Sequence, residues 1–179
     1  MSSPLTPSQT VGPFFGIGLP YQKGNEVVDP GTAGAIRIEG QVIDGNGDPV
    51  PDALIEISMA DRSGSYRVTA NANATGFGRS RTDSEGVFSF TTIKPGSTPA
   101  PDGRKQAPHL NVTVFARGLL RHLVTRMYFP DEPQANEIDP VLGQVEPERR
   151  QTLIADATGG VLRFDIRLQG ERATVFFAI

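Results

Sequence analysis

No cysteine occurs among the 179 residues. Disulfides, zinc–thiolate and iron–sulfur centres, and thiol nucleophiles are therefore excluded. Histidine and tyrosine are scarce, with two and three copies, so any metal site has few donors to draw on. Charge of one sign is lacking as well: 17 Lys and Arg stand against 20 Asp and Glu, for a net charge of −3. Such a chain has no large basic surface with which to neutralise nucleic-acid phosphates. No apolar run approaches the ~20 residues of a membrane-spanning helix. The opening Met1-Ser2-Ser3-Pro4-Leu5-Thr6-Pro7 has no positive region followed by an apolar core, and the first cation is Lys23. A secretory leader is not expected, and the default is a cytoplasmic protein.

What the chain has in excess is glycine (20) and proline (15), about a fifth of all residues against a typical ~12%. Both are poor helix formers, whereas short strands joined by tight turns accommodate them. Apolar residues make up 37%, and the length suits one domain with its own core.

Residues 1–34 read as an extended N-terminal arm that lies against its own domain or against another chain, and residues 35–179 as the folded domain. Pro4, Pro7, Pro13, Pro20 and Pro30 prevent a continuous helix in the arm. Its Val11, Phe14, Phe15, Ile17 and Leu19 are more apolar than a solvated tail requires. From Ala35 apolar residues recur at nearly every second position, which predicts strands. The segments are Ala35 to Ile43, Ala53 to Met59, Val87 to Ile93, Leu110 to Ala116, Leu119 to Phe129, Val161 to Leu168 and Thr174 to Phe177. Asp44-Gly45-Asn46-Gly47-Asp48-Pro49 and Asp83-Ser84-Glu85-Gly86 are turn clusters. Only Glu148 to Ala155 suggests a helix, and the proline-rich acidic stretch from Pro130 to Pro147 reads as a long surface loop. Regular short strands of this kind predict an all-β antiparallel sandwich.

The block from Gly40 to Gly96 resembles prealbumin-like sandwiches in general, and that pattern does not define a function. Three other segments are more specific: Thr6-Pro7-Ser8-Gln9-Thr10-Val11-Gly12-Pro13-Phe14-Phe15, Ala107-Pro108-His109-Leu110-Asn111-Val112-Thr113-Val114-Phe115-Ala116-Arg117-Gly118, and Val124-Thr125-Arg126-Met127-Tyr128-Phe129. Arg149 to Ala155, Arg163 to Glu171 and Thr174 to Phe177 extend them. Together they resemble the intradiol ring-cleavage dioxygenases from about Thr6 to Phe177, and within them the alpha type of subunit. The resemblance implies O2-dependent opening of protocatechuate to 3-carboxy-cis,cis-muconate at a non-haem Fe(III) site.

In that family two Tyr and two His hold the iron. Two His at i and i+2 on a strand point to one face and can grip one ion. Here that place reads His109-Leu110-Asn111, so the second imidazole is replaced by an amide. The first Tyr position corresponds to Tyr66. The second falls after Lys94-Pro95-Gly96, where Thr98 stands. Half of the donors survive, and Tyr21, Tyr128 and His122 do not occupy ligand positions. The chain is expected to carry no iron itself, leaving Tyr66, Thr98, His109 and Asn111 as vestigial ligand positions. The resemblance then implies a homologous iron-bearing beta subunit, an alpha–beta hetero-oligomer, and Fe(III) on that partner.

By the same resemblance, Thr10, Gly12, Pro13 and Arg117 contact substrate in the partner's active site. An arginine carries a permanent cation and a planar donor fork suited to a carboxylate. A Gly-Pro pair allows close, stiff approach of backbone. On its own, an arginine at a strand corner is ordinarily a surface ion pair, and a Gly-Pro pair is ordinarily a turn. Phe14, Phe15, Ile17 and Leu19 would be buried between subunits. Two other readings stay open at this point: a self-sufficient enzyme using Tyr66 and His109, and a non-enzymatic prealbumin-like binding module.

Overall fold

A computed structural model describes residues 12–66 and 76–178. Its strands are β1 (Ala35–Ile43), β2 (Leu54–Ser58), β3 (Phe77–Arg81), β4 (Val87–Ile93), β5 (Thr98–Pro99), β6 (Lys105–Gln106), β7 (His109–Phe115), β8 (Leu123–Tyr128), β9 (Asp156–Thr158), β10 (Val161–Arg163) and β11 (Ile166–Arg167). Short helices are α1 (Phe15–Gly18), α2 (Pro133–Glu137) and α3 (Pro147–Arg150). No helix among the described residues is long and apolar enough to cross a membrane.

Two sheets face each other. One has the order β3-β2-β7-β8, all antiparallel. The other centres on β1, with β4 antiparallel on one side and β10 and β11 parallel on the other. The alternation seen in the sequence fills the space between them: Ile38 and Val42 from β1, Ile55 and Ile57 from β2, Phe88 and Phe90 from β4, and Val112 and Val114 from β7 form one buried cluster. Burial of these side chains is the main driving force for closing the sandwich. The turns before β2 and β4 are held by aspartates. Asp44 accepts the N–H groups of Asn46 and Asp48, and Asp83 those of Glu85 and Val87.

Several expectations need correction. Val161 to Leu168 is two strands rather than one. At the break, Gln41 N–H donates to the Asp165 side chain at 3.0 Å instead of to backbone. The chains also approach so closely there that a Cβ at Gly40 would lie 1.9 Å from the Phe164 carbonyl oxygen. Thr174 to Phe177 forms no ladder; it is tied by Thr174 N–H to Arg167 O and Phe177 N–H to Val124 O. The Pro130 to Pro147 stretch is no surface loop. It contains α2 and a 3-10 turn at Leu142–Gln144, and it buries Asn136, Asp139 and Leu142. The carboxylate of Asp139 explains this, since it accepts from Ala107, Val141 and Leu142 N–H and from the Tyr128 hydroxyl. Finally, the helix at Glu148 to Ala155 begins at Pro147 and passes into a 3-10 turn at Gln151–Leu153.

Residues 24–28 lie on the sandwich, with Val27 and Val28 in the central cluster and Val27 N–H bonded to Thr91 O at 2.8 Å. Phe15 is buried within this chain rather than left for a partner, because its ring packs on Phe115 at 6.4 Å between centroids. Phe14, Ile17 and Leu19 are exposed, Phe14 by 74%.

Candidate functional site

Three of the four positions expected to correspond to family ligands, Tyr66, Thr98 and Asn111, lie close together beside the start of β7. β7 carries His109 and Asn111 on one side of the strand. Tyr66 closes a turn that Asp61 organises, its Oδ1 accepting from Ser63 N–H, Ser63 Oγ–H and Ser65 N–H. Gly64 lies in that turn with φ +82, and a Cβ there would stand 2.0 Å from the Ser97 carbonyl oxygen. Only glycine permits both the backbone angle and the contact. The contact sets the turn against Thr98, so Tyr66 and Thr98 line one open hollow of about 600 Å³ with Ser63 and Pro99. Asn111 reaches the same group, its Nδ2–H donating to the Tyr66 hydroxyl at 3.2 Å.

His109 is buried beside Tyr128, with ring centroids 5.8 Å apart. Its Nδ1 lies 2.8 Å from Ala107 O. A carbonyl only accepts, so this contact assigns the proton to Nδ1 and leaves Nε2 as an acceptor. Nε2 and the buried Thr98 Oγ1 have no hydrogen-bond partner among the described residues. Burial, and then the positive charge of Arg126, bring the imidazole pKa down to about 4, so the ring is neutral at physiological pH.

This donor set does not fit a ferric ion. Fe(III) favours anionic oxygen donors with imidazole completing the shell. Here Tyr66 is the one phenol, and Asn111 turns an amide N–H toward its oxygen. Thr98 offers a neutral hydroxyl, and His109 the one imidazole. Among the described residues no group of three or more His, Cys, Asp or Glu is arranged to hold a metal.

A second arrangement forms where β7 ends. Arg117 pairs through Nε with Asp52 Oδ2 at 3.1 Å. Asp52 is buried, while the Arg117 side chain is 59% exposed. Arg117 also borders an open hollow of about 590 Å³ with Asn46, Leu119, Leu168 and Phe176. The contact between Phe15 and Phe115 fastens the 3-10 turn Gly12–Phe14 near this corner. Beside it, a Cβ at Gly16 would be 3.2 Å from the Asp52 carbonyl oxygen. Gly12 and the backbone of Pro13 are therefore carried by the segment that packs against the Arg117 corner. Thr10 lies outside the described residues. The sequence reasoning missed Asp52, an acidic residue in an ordinary-looking Pro-Asp turn; nothing local connects it to an arginine at the far end of another strand.

A family model described as dioxygenase matches residues 11–170. The protocatechuate 3,4-dioxygenase alpha chains of Burkholderia cepacia and Pseudomonas putida are each 44% identical to this chain, over 97% of it and 97% and 96% of their own lengths. This chain belongs to the intradiol dioxygenase family. The protocatechuate 3,4-dioxygenase beta chain of Burkholderia cepacia is a more distant relative within the family, 34% identical over 78% of this chain and 66% of that one. Among solved structures, the dioxygenase domain of a dioxygenase–carbohydrate-binding fusion from Streptomyces sp. SirexAA-E superimposes with a TM-score of 0.62 at 26% identity, covering 95% of this chain and 99% of that one. Membership of this dioxygenase family, on these full-length matches, sets aside the reading as a non-enzymatic prealbumin-like module.

Proposed function

We propose that this chain is the alpha subunit of a protocatechuate 3,4-dioxygenase. It works in a hetero-oligomer with a homologous beta subunit that carries the Fe(III), in the cytoplasm. The iron supplies the oxygen chemistry when bound to the partner. This chain supplies substrate contacts and walls. The observation that carries the reading is the incomplete donor set in a chain 44% identical, over 97% of its length, to two alpha chains.

Arg117 is the residue for the substrate carboxylate. Its side chain stands at an exposed corner, and the ion pair engages Nε. The guanidinium fork can receive a carboxylate on two parallel N–H groups. Gly12 and Pro13 form a stiff backbone wall that excludes water from the ring, and the Thr10 hydroxyl bonds a substrate oxygen or a bridging water. Of the arm, residues 1–34, the exposed Phe14, Ile17 and Leu19 are covered in the interface with the beta subunit, while Phe15, Val27 and Val28 stay packed on this chain.

Co-expression with an iron-bearing beta chain tests this. The complex is expected to hold iron and to turn over protocatechuate, and the isolated chain to do neither. An isolated chain that carries stoichiometric iron and opens protocatechuate by itself would overturn the proposal.

A further inference from the structure

We propose that Asp52 is a positioning residue for substrate binding: it fixes the guanidinium of Arg117 in one orientation and seats α1 beside it. The inference rests on the reading of Arg117 as the carboxylate-binding residue. Asp52 itself does not touch substrate.

Three observations carry it. The first is the asymmetry of the ion pair. Asp52 is only 8% exposed, and its Oδ2 meets Nε of an arginine whose side chain is 59% exposed. Pairs between two mobile surface groups contribute little, largely because both must be ordered. Here one partner is already immobilised by burial, so the arginine alone is ordered by the contact.

The second is the other carboxylate oxygen. Asp52 Oδ1 is buried and has no hydrogen-bond partner among the described residues. A buried polar atom left unsatisfied is costly and calls for a reason. An ion pair serving stability alone gains nothing from stranding half of a carboxylate. A carboxylate placed to steer one nitrogen of Arg117 does have such a reason. Arginine has five N–H donors in the plane of its fork, so engagement at Nε leaves the terminal nitrogens for a second carboxylate.

The third is the arm. The Gly16 backbone packs directly on Asp52, where a Cβ would be 3.2 Å from its carbonyl oxygen and 3.9 Å from its Cβ. Phe15 grips Phe115, two residues before Arg117. Asp52 therefore stands between the segment bearing Gly12 and Pro13 and the corner bearing Arg117. Small misplacements of a positioned charge cost large factors in binding and rate.

The test uses the assembled alpha–beta complex with Asp52→Asn, Arg117→Gln and the double variant. Each is assayed on protocatechuate and on catechol, which lacks the carboxylate. Asp52→Asn is expected to raise KM for protocatechuate roughly two- to fivefold, in line with the loss of one ion pair whose arginine is exposed. Its kcat should change by less than about twofold, and turnover of catechol should be unaltered. The double variant should match Arg117→Gln alone, because Asn keeps the backbone oxygen and Cβ on which Gly16 sits and removes only the charge that acts on Arg117. Equal losses on both substrates, or additive effects in the double variant, would refute the positioning role. An Arg117→Gln complex with an unchanged KM for protocatechuate would instead refute the underlying reading of Arg117. If Asp52→Asn fails to assemble, Asp52→Glu keeps the charge one methylene away; it should show the same substrate-selective rise in KM at smaller size, and an equal effect on both substrates would again refute the role.

Discussion

Asn111 donates a hydrogen bond to the hydroxyl of Tyr66 across 3.2 Å. In a chain with two imidazoles on this strand face, the phenol would look toward a metal. Here its oxygen accepts from an amide N–H. The relationship turns a ligand position into an ordinary polar contact. It also predicts what restoring the donors would do.

With Thr98→Tyr and Asn111→His together, the chain regains two phenols and two imidazoles, the second imidazole two residues along the strand from His109. The iron content of the alpha–beta complex should rise toward twice its original value, and a second phenolate-to-iron absorbance should appear in the visible spectrum. Asn111→His alone should add little, because one anionic oxygen is too few for a hard trivalent ion. Metal analysis and the visible spectrum check both statements.

His109 makes stability depend on pH. Its folded pKa is about 4 against 6.5 for an ordinary imidazole, so between those values the unfolded chain binds the extra proton. Stability is therefore full above pH 6.5 and falls as pH drops toward 4. The loss amounts to about 3 kcal/mol once both states are protonated. His109→Gln should flatten that part of the profile. Urea unfolding of the two proteins between pH 4 and pH 7 measures the difference.

Asp139 is the anchor of the 130–147 segment. Replacing it by Ala strands the N–H groups of Ala107, Val141 and Leu142 and the Tyr128 hydroxyl. The expected cost is about 3–5 kcal/mol, since several donors lose their acceptor together and each one left unsatisfied costs about 1–3 kcal/mol. Limited proteolysis should then cut within this segment, and hydrogen exchange at Val141 and Leu142 should accelerate.

Much of the sandwich was legible in the residues. Period-two alternation marked β1, β2, β4 and β7, because each of these strands turns one side to the shared core. Val161 to Leu168 shows where that signal misleads. Its alternation is genuine, yet the strand breaks where Asp165 offers a side-chain acceptor to Gln41 and Gly40 lets the Phe164 carbonyl come close. Composition likewise made 130–147 look like a surface loop. Four donors converging on one carboxylate bury it, and those donors come from β6–β7, β8 and the segment itself.

The candidate site divides along the same line. The loss of two iron donors could be read from His109-Leu110-Asn111 and from Thr98, since donor chemistry belongs to residue type and strand spacing sets which residues share a face. The pairing of Arg117 with Asp52, the seat of Gly16 on Asp52 and the grip of Phe15 on Phe115 could not. Each joins residues distant in the chain, and no local period or motif encodes a contact made only when two sheets close and a terminal segment docks across their edge.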